Sequence, residues 1–159
     1  MEQRSASIRD IVSPKAVLAS LDAASKKDAL QHIATAASAQ IGKDAHEIFD
    51  VLWEREKLGT TGVGQGIAIP HGRVPGLDKV CGFFVRLAQP INFDSIDDKP
   101  VDLVFLLLAP EAAGADHLHA LASVSRLLRD VKLCEKLRSA KDAAGIYRIL
   151  TETPLVNAA

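Results

Sequence analysis

The sequence has few cysteines, almost no net charge and no long apolar run, and each shortage narrows what the protein can do. Cys81 and Cys134 are the 2 cysteines in 159 residues. They are too far apart for a C-x-x-C motif and too few for a disulfide framework, which points to a reducing compartment. A formal net charge of −1 gives no global electrostatic reason to bind nucleic acid or an anionic membrane. No apolar stretch approaches the length that crosses a bilayer, so no membrane insertion is expected. The opening Met-Glu-Gln-Arg-Ser-Ala-Ser has no apolar h-region, so the reading is a cytoplasmic protein without a signal peptide. Repeats, linkers and low-complexity tracts are also missing. The chain therefore reads as one domain over 1–159, with an ordered core of about 6–152 and a frayed tail from Pro154.

Several catalytic signatures are absent too. There is no G-x-S-x-G nucleophile elbow and no G-x-x-x-x-G-K-[ST] phosphate loop. Gly62-x-Gly64-x-Gly66 has the wrong spacing for a dinucleotide loop. It also follows a helix and precedes a strand, the reverse of the required order. No H-x-x-x-H pair, cysteine pair or carboxylate cluster offers a metal set, and His71 with His117 would supply only two distant ligands. No metal or other cofactor is expected.

What remains is an ordinary globular composition, 48% apolar and 25% charged, arranged in interleaved helices and strands. Ser5 to Pro14 turns Ile8, Ile11 and Val12 inward and reads as irregular. Ala16 to Leu21 suggests a strand. Ser25, with Asp28 three residues on, predicts the start of a helix that carries Leu30, Ile33, Ala34, Ala37 and Ile41 inward and ends at Gly42. A second helix is predicted from about Asp44 to Lys57, with Ile48, Val51, Leu52 and Arg55 on one face, ended by Gly59. Val80–Leu87 and Val101–Ala109 read as strands. The second is apolar enough to lie centrally, covered on both faces. Asn92 to Pro100 is a polar connection, Asp116 the expected N-cap of a helix reaching Leu128, and one or two helices follow between Lys132 and Thr151. The class is α/β, a mixed sheet with helices packed on both faces.

The chain is organised around Gly62 to Gly72. A glycine-rich connection leads to the apolar run Ile67–Ile69, a short buried strand that Pro70 should stop. His71 then sits at a strand exit, with Gly72 leaving little bulk beside it. That frame presents an imidazole to something approaching from outside. The hydroxyls of Thr60 and Thr61 would suit an oxyanion nearby. On the later helix, His117 and His119 point to nearly opposite sides. His117 lies in line with Leu121, Val124 and Leu128, the inward stripe, and His119 looks outward. His117 also falls in the first turn, where free backbone N–H groups favour an anion.

The stretch Glu56-Lys57-Leu58-Gly59-Thr60-Thr61-Gly62-Val63-Gly64-Gln65-Gly66-Ile67-Ala68-Ile69-Pro70-His71-Gly72 resembles the active-site signature of the fructose/mannitol-type enzyme IIA of the bacterial phosphotransferase system. The likeness continues through Asn92-Phe93-Asp94-Ser95-Ile96-Asp97, Pro100-Val101-Asp102-Leu103 and His117-Leu118-His119, which look most like the stand-alone nitrogen-related enzyme IIA. The resemblance implies that His71 accepts a phosphoryl group, as a tele-phosphohistidine, and that His117 is the second active-site histidine. It sets Arg55, Thr60 and Thr61 around the phosphate pocket. The donor it implies is a phosphohistidine on an HPr-like phosphocarrier protein, with separate regulatory targets downstream. Phosphoryl transfer between proteins suits a neutral imidazole nucleophile surrounded by N–H donors and positive charge. Two other readings remain open at this point: a regulatory binding module without phosphoryl chemistry, and the IIA component of a fructose/mannitol-type uptake system.

Overall fold

The computed structural model describes residues 8–112 and 114–152. The residues before Ile8 and the tail from Pro154 lie outside them. A short helix α1 (Ile8–Ile11) and a 3-10 turn (Pro14–Ala16) lead into strand β1 (Val17–Leu21). The predicted irregular entry is thus helical from Ile8, which together with Val12 is buried. Helices α2 (Lys26–Ile41) and α3 (Ala45–Leu58) follow. The Ser25 side chain caps α2 by accepting the Asp28 N–H, and Gly42 ends it at φ 72°, a conformation that costs glycine little. Asp44 caps α3 through the Glu47 N–H.

The glycine-rich connection is not a loose loop. It forms a hairpin of β2 (Gly62–Gly64) and β3 (Ile67–Ala68), continued by β4 (His71–Arg73). Gln65 at φ 60° and Gly66 at φ 81° make the two-residue turn between β2 and β3. Positive φ at both central positions matches the right-handed twist of the flanking strands. The apolar run marked β3, whereas alternation could not reveal β2 or β4, strands of three residues each. The turn is pinned from outside: Asp97 accepts the Gln65 N–H at 3.0 Å, and Arg138 donates to the Gln65 carbonyl at 3.0 Å.

Strands β5 (Cys81–Ile91) and β6 (Val101–Ala109) complete a six-stranded mixed sheet of order β1-β5-β6-β3-β2, with β4 also on β6. β6 is the central strand, and Leu103 through Ala109 are fully buried. Ile67 pairs with Leu103, Ala68 with Val104 and His71 with Leu107, so the register is unbroken from β3 to β4. β3 stops at Ala68, as expected of a strand running into Pro70, and pairing resumes in the same register at β4 beyond the proline. Pro70 removes one donor from the ladder, yet its carbonyl still accepts the Leu107 N–H at 3.0 Å. His71 consequently opens a strand instead of standing at an exit.

Both faces of the sheet are covered, as the composition of β6 implied. The face bearing Phe83 and Val85 meets α2, where Ile33 and Ala36 line the same crevice. On the opposite face Phe84 and Phe105 pack edge to face, Val12 approaches Gly82, and Arg86 donates to the Leu137 and Ala140 carbonyls in the C-terminal part of the chain. Helices α4 (Ala115–Leu128), α5 (Val131–Ser139) and α6 (Ala143–Glu152) fill the C-terminal part. Asp116 is not the cap of α4. Gly114 holds that position without a side-chain bond, and Asp116 lies in the first turn, where its charge suits the helix dipole.

Candidate functional site

The strand register decides which way the central histidine looks. His71 shares the face of its partner Leu107, and Gly72 shares that of Leu108, since successive side chains alternate. The Gly72 face is pressed against α3. A Cβ built there would lie 2.3 Å from Val51 Cγ1. Gly72 is thus demanded by packing, where exposure of the neighbouring imidazole was the expectation. The imidazole itself is half-buried on the other face.

Its two nitrogens have different partners. Nδ1 lies 2.9 Å from the Ile69 carbonyl oxygen, an acceptor only, so this nitrogen carries the proton. Nε2 accepts from Arg55 Nε at 3.3 Å, which fits an unprotonated nitrogen with a free lone pair. Arg55 is held in turn by donating to the Gly59 carbonyl at 2.8 Å, the residue that ends α3. Burial lowers the His71 pKa below its usual value. The Ile69 carbonyl opposes that shift, the Arg55 charge adds to it, and the Glu56 carboxylate opposes it. Neutral imidazole is the form that results at pH 7.

His117 comes to the same place from α4. The two rings have centroids 5.7 Å apart, with planes at 70°. His117 is 7% exposed, and His119 is exposed, so the inward stripe has the phase expected of it. Burial lowers the His117 pKa as well, helped by His71 and Arg73. Its Nε2 is buried with no hydrogen-bond partner among the described residues. A buried polar atom left alone is costly.

The structure brings together His71, His117 and Arg55. It does not direct the Thr60 and Thr61 hydroxyls to them. Thr60 Oγ1 donates to the Phe93 carbonyl at 2.8 Å and accepts the Gly62 N–H at 3.0 Å. Thr61 Oγ1 donates to the Glu56 carboxylate. Both hydroxyls are therefore committed to anchoring the hairpin. Glu56 is the functional residue that sequence reasoning missed, although it follows Phe49, Leu52 and Trp53 at helical spacing on the inward arc of α3, where a carboxylate needs partners. No group of three or more His, Cys, Asp or Glu side chains that could hold a metal ion occurs among the described residues. No described helix is long and apolar enough to cross a membrane.

A six-stranded mixed sheet presenting a histidine beside a second histidine and an arginine defines a class, the IIA domains of the phosphotransferase system. The family model described as "Phosphoenolpyruvate-dependent sugar phosphotransferase system, EIIA 2" matches residues 10–153, and the chain belongs to that family. Within it the similarity runs to nitrogen regulatory proteins. The "Nitrogen regulatory protein" of Bradyrhizobium diazoefficiens is 55% identical over 147 residues, covering 92% of this chain and 96% of that one. The protein of the same name from Escherichia coli is 43% identical over 130 residues, covering 81% and 80%. The crystal structure of nitrogen regulatory protein IIA-Ntr from Neisseria meningitidis superposes with a TM-score of 0.85 at 35% identity, covering 91% of this chain and 99% of that one.

Proposed function

We propose that the protein is a phosphohistidine carrier and regulator that accepts a phosphoryl group on His71 Nε2 from an HPr-like phosphocarrier protein and signals by its phosphorylation state. The observation that carries this reading is the division of labour on one ring: Nδ1 held by the Ile69 carbonyl, Nε2 unprotonated and accepting, among the described residues, only the 3.3 Å bond from Arg55 Nε. The Nε2 lone pair attacks phosphorus, the donor's P–N bond breaks as the new P–N bond forms, and the donor ring leaves. When the donor's second ring nitrogen is protonated, that ring departs as neutral imidazole. His71 keeps its Nδ1 proton, so the positive charge passes to the phosphorylated ring and the proton count is unchanged. No water and no redox partner are needed.

The surroundings suit a transferring phosphoryl group, which asks for donors and charge and little covalent help. Arg55 stands at the attacking nitrogen. His117 offers a buried ring nitrogen in need of a partner, which a phosphoryl oxygen would supply. Thr60 and Thr61 contribute by holding the wall of the pocket, since their hydroxyls are engaged. Leu58 at 85% and Leu118 at 66% exposure project from the helices that bear Arg55 and His117 and give apolar rim for a docking carrier. The name carried by the relatives favours a regulatory role over a part in sugar uptake, so the readout is a protein target and the site of action the cytoplasm.

The test is mass spectrometry after incubation with phosphoenolpyruvate and the general phosphotransferase proteins. The expected result is one acid-labile phosphoryl group on the wild type and none on His71→Ala. Stoichiometric uptake by His71→Ala would move the acceptor elsewhere. No uptake by the wild type would leave a regulatory binding module without phosphoryl chemistry.

A further inference from the structure

A continuous line of bonds reaches His71 from the side of the sheet away from His117. It starts at Lys26, in the first turn of α2. Its Nζ lies 2.9 Å from Glu56 Oε1, with side-chain exposures of 13% and 2%. Glu56, in the last turn of α3, also accepts the Thr61 N–H at 3.2 Å on each oxygen, and the Thr61 hydroxyl. The Thr61 carbonyl accepts the Ile69 N–H at 2.9 Å. The Ile69 carbonyl in turn takes the His71 Nδ1 proton at 2.9 Å. Lys26, Glu56, Thr61, Ile69 and His71 are thus linked without a gap.

We propose that Glu56, held by Lys26, is a positioning residue for the His71 nucleophile, anchoring through Thr61 the backbone of Ile69, the residue whose carbonyl decides which ring nitrogen is protonated. This rests on the reading of His71 as the phosphoryl acceptor. Three donors converge on the carboxylate, the set that a carboxylate anion needs when water is excluded. A buried ion pair is a poor way to gain stability, because apolar residues of the same volume often serve as well. What the pair does supply is direction. Thr61 carries its bonds to Glu56 on its N–H and hydroxyl and its bond to Ile69 on its carbonyl, so the carboxylate holds Thr61 from both its backbone and its side chain, and Thr61 in turn holds Ile69.

Glu56 also acts on the ring by its charge. The charged and titratable groups facing His71 are Arg55 and Glu56 from α3, with His117 from α4 and Arg73 from β4 beside that second ring. Arg55 disfavours the imidazolium and Glu56 favours it. Removing the Glu56 charge leaves the Ile69 carbonyl as the one remaining influence that favours the imidazolium, and the His71 titration moves to lower pH.

The experiment compares wild type, Glu56→Gln and Lys26→Met/Glu56→Gln by nitrogen-15 NMR of the histidine rings in the unphosphorylated protein. The same three are then measured for the rate of phosphoryl uptake from an HPr-like carrier. Glu56→Gln keeps an acceptor for the Thr61 N–H and loses the charge. The expected results are a His71 titration shifted to lower pH, a mixed Nδ1–H and Nε2–H tautomer signature, and uptake slowed about tenfold, in the range of other orienting partners. Should the buried Lys26 charge unfold Glu56→Gln, the double variant has no unpaired charge and is read for the same three signals. A folded variant with the wild-type tautomer, titration and rate would overturn the proposal and leave Glu56 as an anchor of the hairpin only. Wild-type protein that takes up no phosphoryl group would sink the proposed function instead, and the ring spectra would still judge Glu56.

Discussion

Arg55 donates through Nε to His71 Nε2 at 3.3 Å, so a cation occupies the approach to the one ring nitrogen that can act as a nucleophile. The contact serves two purposes. It lowers the basicity of the ring, and it leaves a guanidinium within reach of any group that bonds to Nε2. Arg55→Lys keeps the charge but loses the planar fork that can contact nitrogen and phosphoryl oxygen together. We expect Arg55→Lys to slow phosphoryl uptake by roughly tenfold and Arg55→Ala by more, in the range of single oxyanion donors. Rapid-quench uptake measurements decide it, and equal rates for all three proteins would remove Arg55 from the pocket.

His117 and His119 provide an internal control on the same helix. His117 faces His71 and is buried, whereas His119 is exposed. Replacing His117 by Ala should slow uptake by about tenfold or more, through loss of a donor beside the phosphoryl group. His119→Ala should stay within a few-fold of wild type. The opposite ranking, measured under the same conditions, would assign the second role to the exposed ring.

His71 and His117 both have pKa values lowered below 6.5, chiefly by burial. Uptake should therefore hold steady through neutral pH and decline only below the ordinary imidazole range. The linkage to stability has the same sign. Between the folded and unfolded pKa values the unfolded chain binds more protons, so stability rises with pH. The contribution is complete above about 6.5, the unfolded value, and is lost as pH falls from there towards the lowered folded values. Urea titrations at pH 7.5 and 5.5 should show a smaller acid loss for His71→Ala/His117→Ala than for wild type. An unchanged acid loss would place the sensitivity in other groups.

The turn at Gln65 tests the hairpin. Gln65 holds φ 60° without being glycine, a region that costs most L-residues about 1–2 kcal/mol. Asparagine tolerates it better and is preferred in two-residue hairpins. Gln65→Asn should stabilise the protein by roughly 0.5–1 kcal/mol in chemical denaturation, within the gain expected from relieving such strain. The adjacent Gly66→Ala should destabilise. Its Cβ would lie 2.6 Å from Arg138 Nη2 and 3.1 Å from Asp102 Oδ1, breaking the clamp on the turn. A stabilising Gly66→Ala would mean the clamp is dispensable.

Much of the fold could be read from the chain because its signals were local or strongly periodic. Val101–Ala109 coincides with β6, since nine nearly unbroken apolar residues have few alternatives to a covered strand. Ser25 and Gly42 marked both ends of α2 by their own chemistry. The pairing of His117 with His71 followed from helix phase once the resemblance had marked both. The rest depended on contacts that no window contains. Pro70 reads as a stop, and β3 does end before it, but the resumption of the same register on β6 at His71 could not be read from the local sequence. Thr60 and Thr61 read as free hydroxyls beside glycines, yet Phe93 and Glu56 claim them from distant or helical positions. Glu56 itself looks like one more charged residue until Lys26 and Thr61 close around it.

Gly72 shows how the same residue can have a reason the sequence does not display, and that reason can be tested as a pair. A methyl group at position 72 would meet Val51 Cγ1 at 2.3 Å, well inside contact distance, and a β-branched valine on a helix has little freedom to turn away. Gly72→Ala must therefore push β4 from α3, and overpacking of this kind costs about 1–3 kcal/mol. The push also separates the strand that carries His71 from the helix that carries Arg55, so the 3.3 Å contact between them should open and uptake should fall. Trimming the helix side makes room. Val51→Ala alone should cost little, since Val51 is only partly buried. In the Gly72→Ala/Val51→Ala protein the added methyl occupies the space the valine leaves. A double-mutant cycle read in both denaturation and uptake should show the second change recovering most of what the first lost. Additive losses would mean that Gly72 is needed for something other than its contact with α3, such as the space in front of the imidazole.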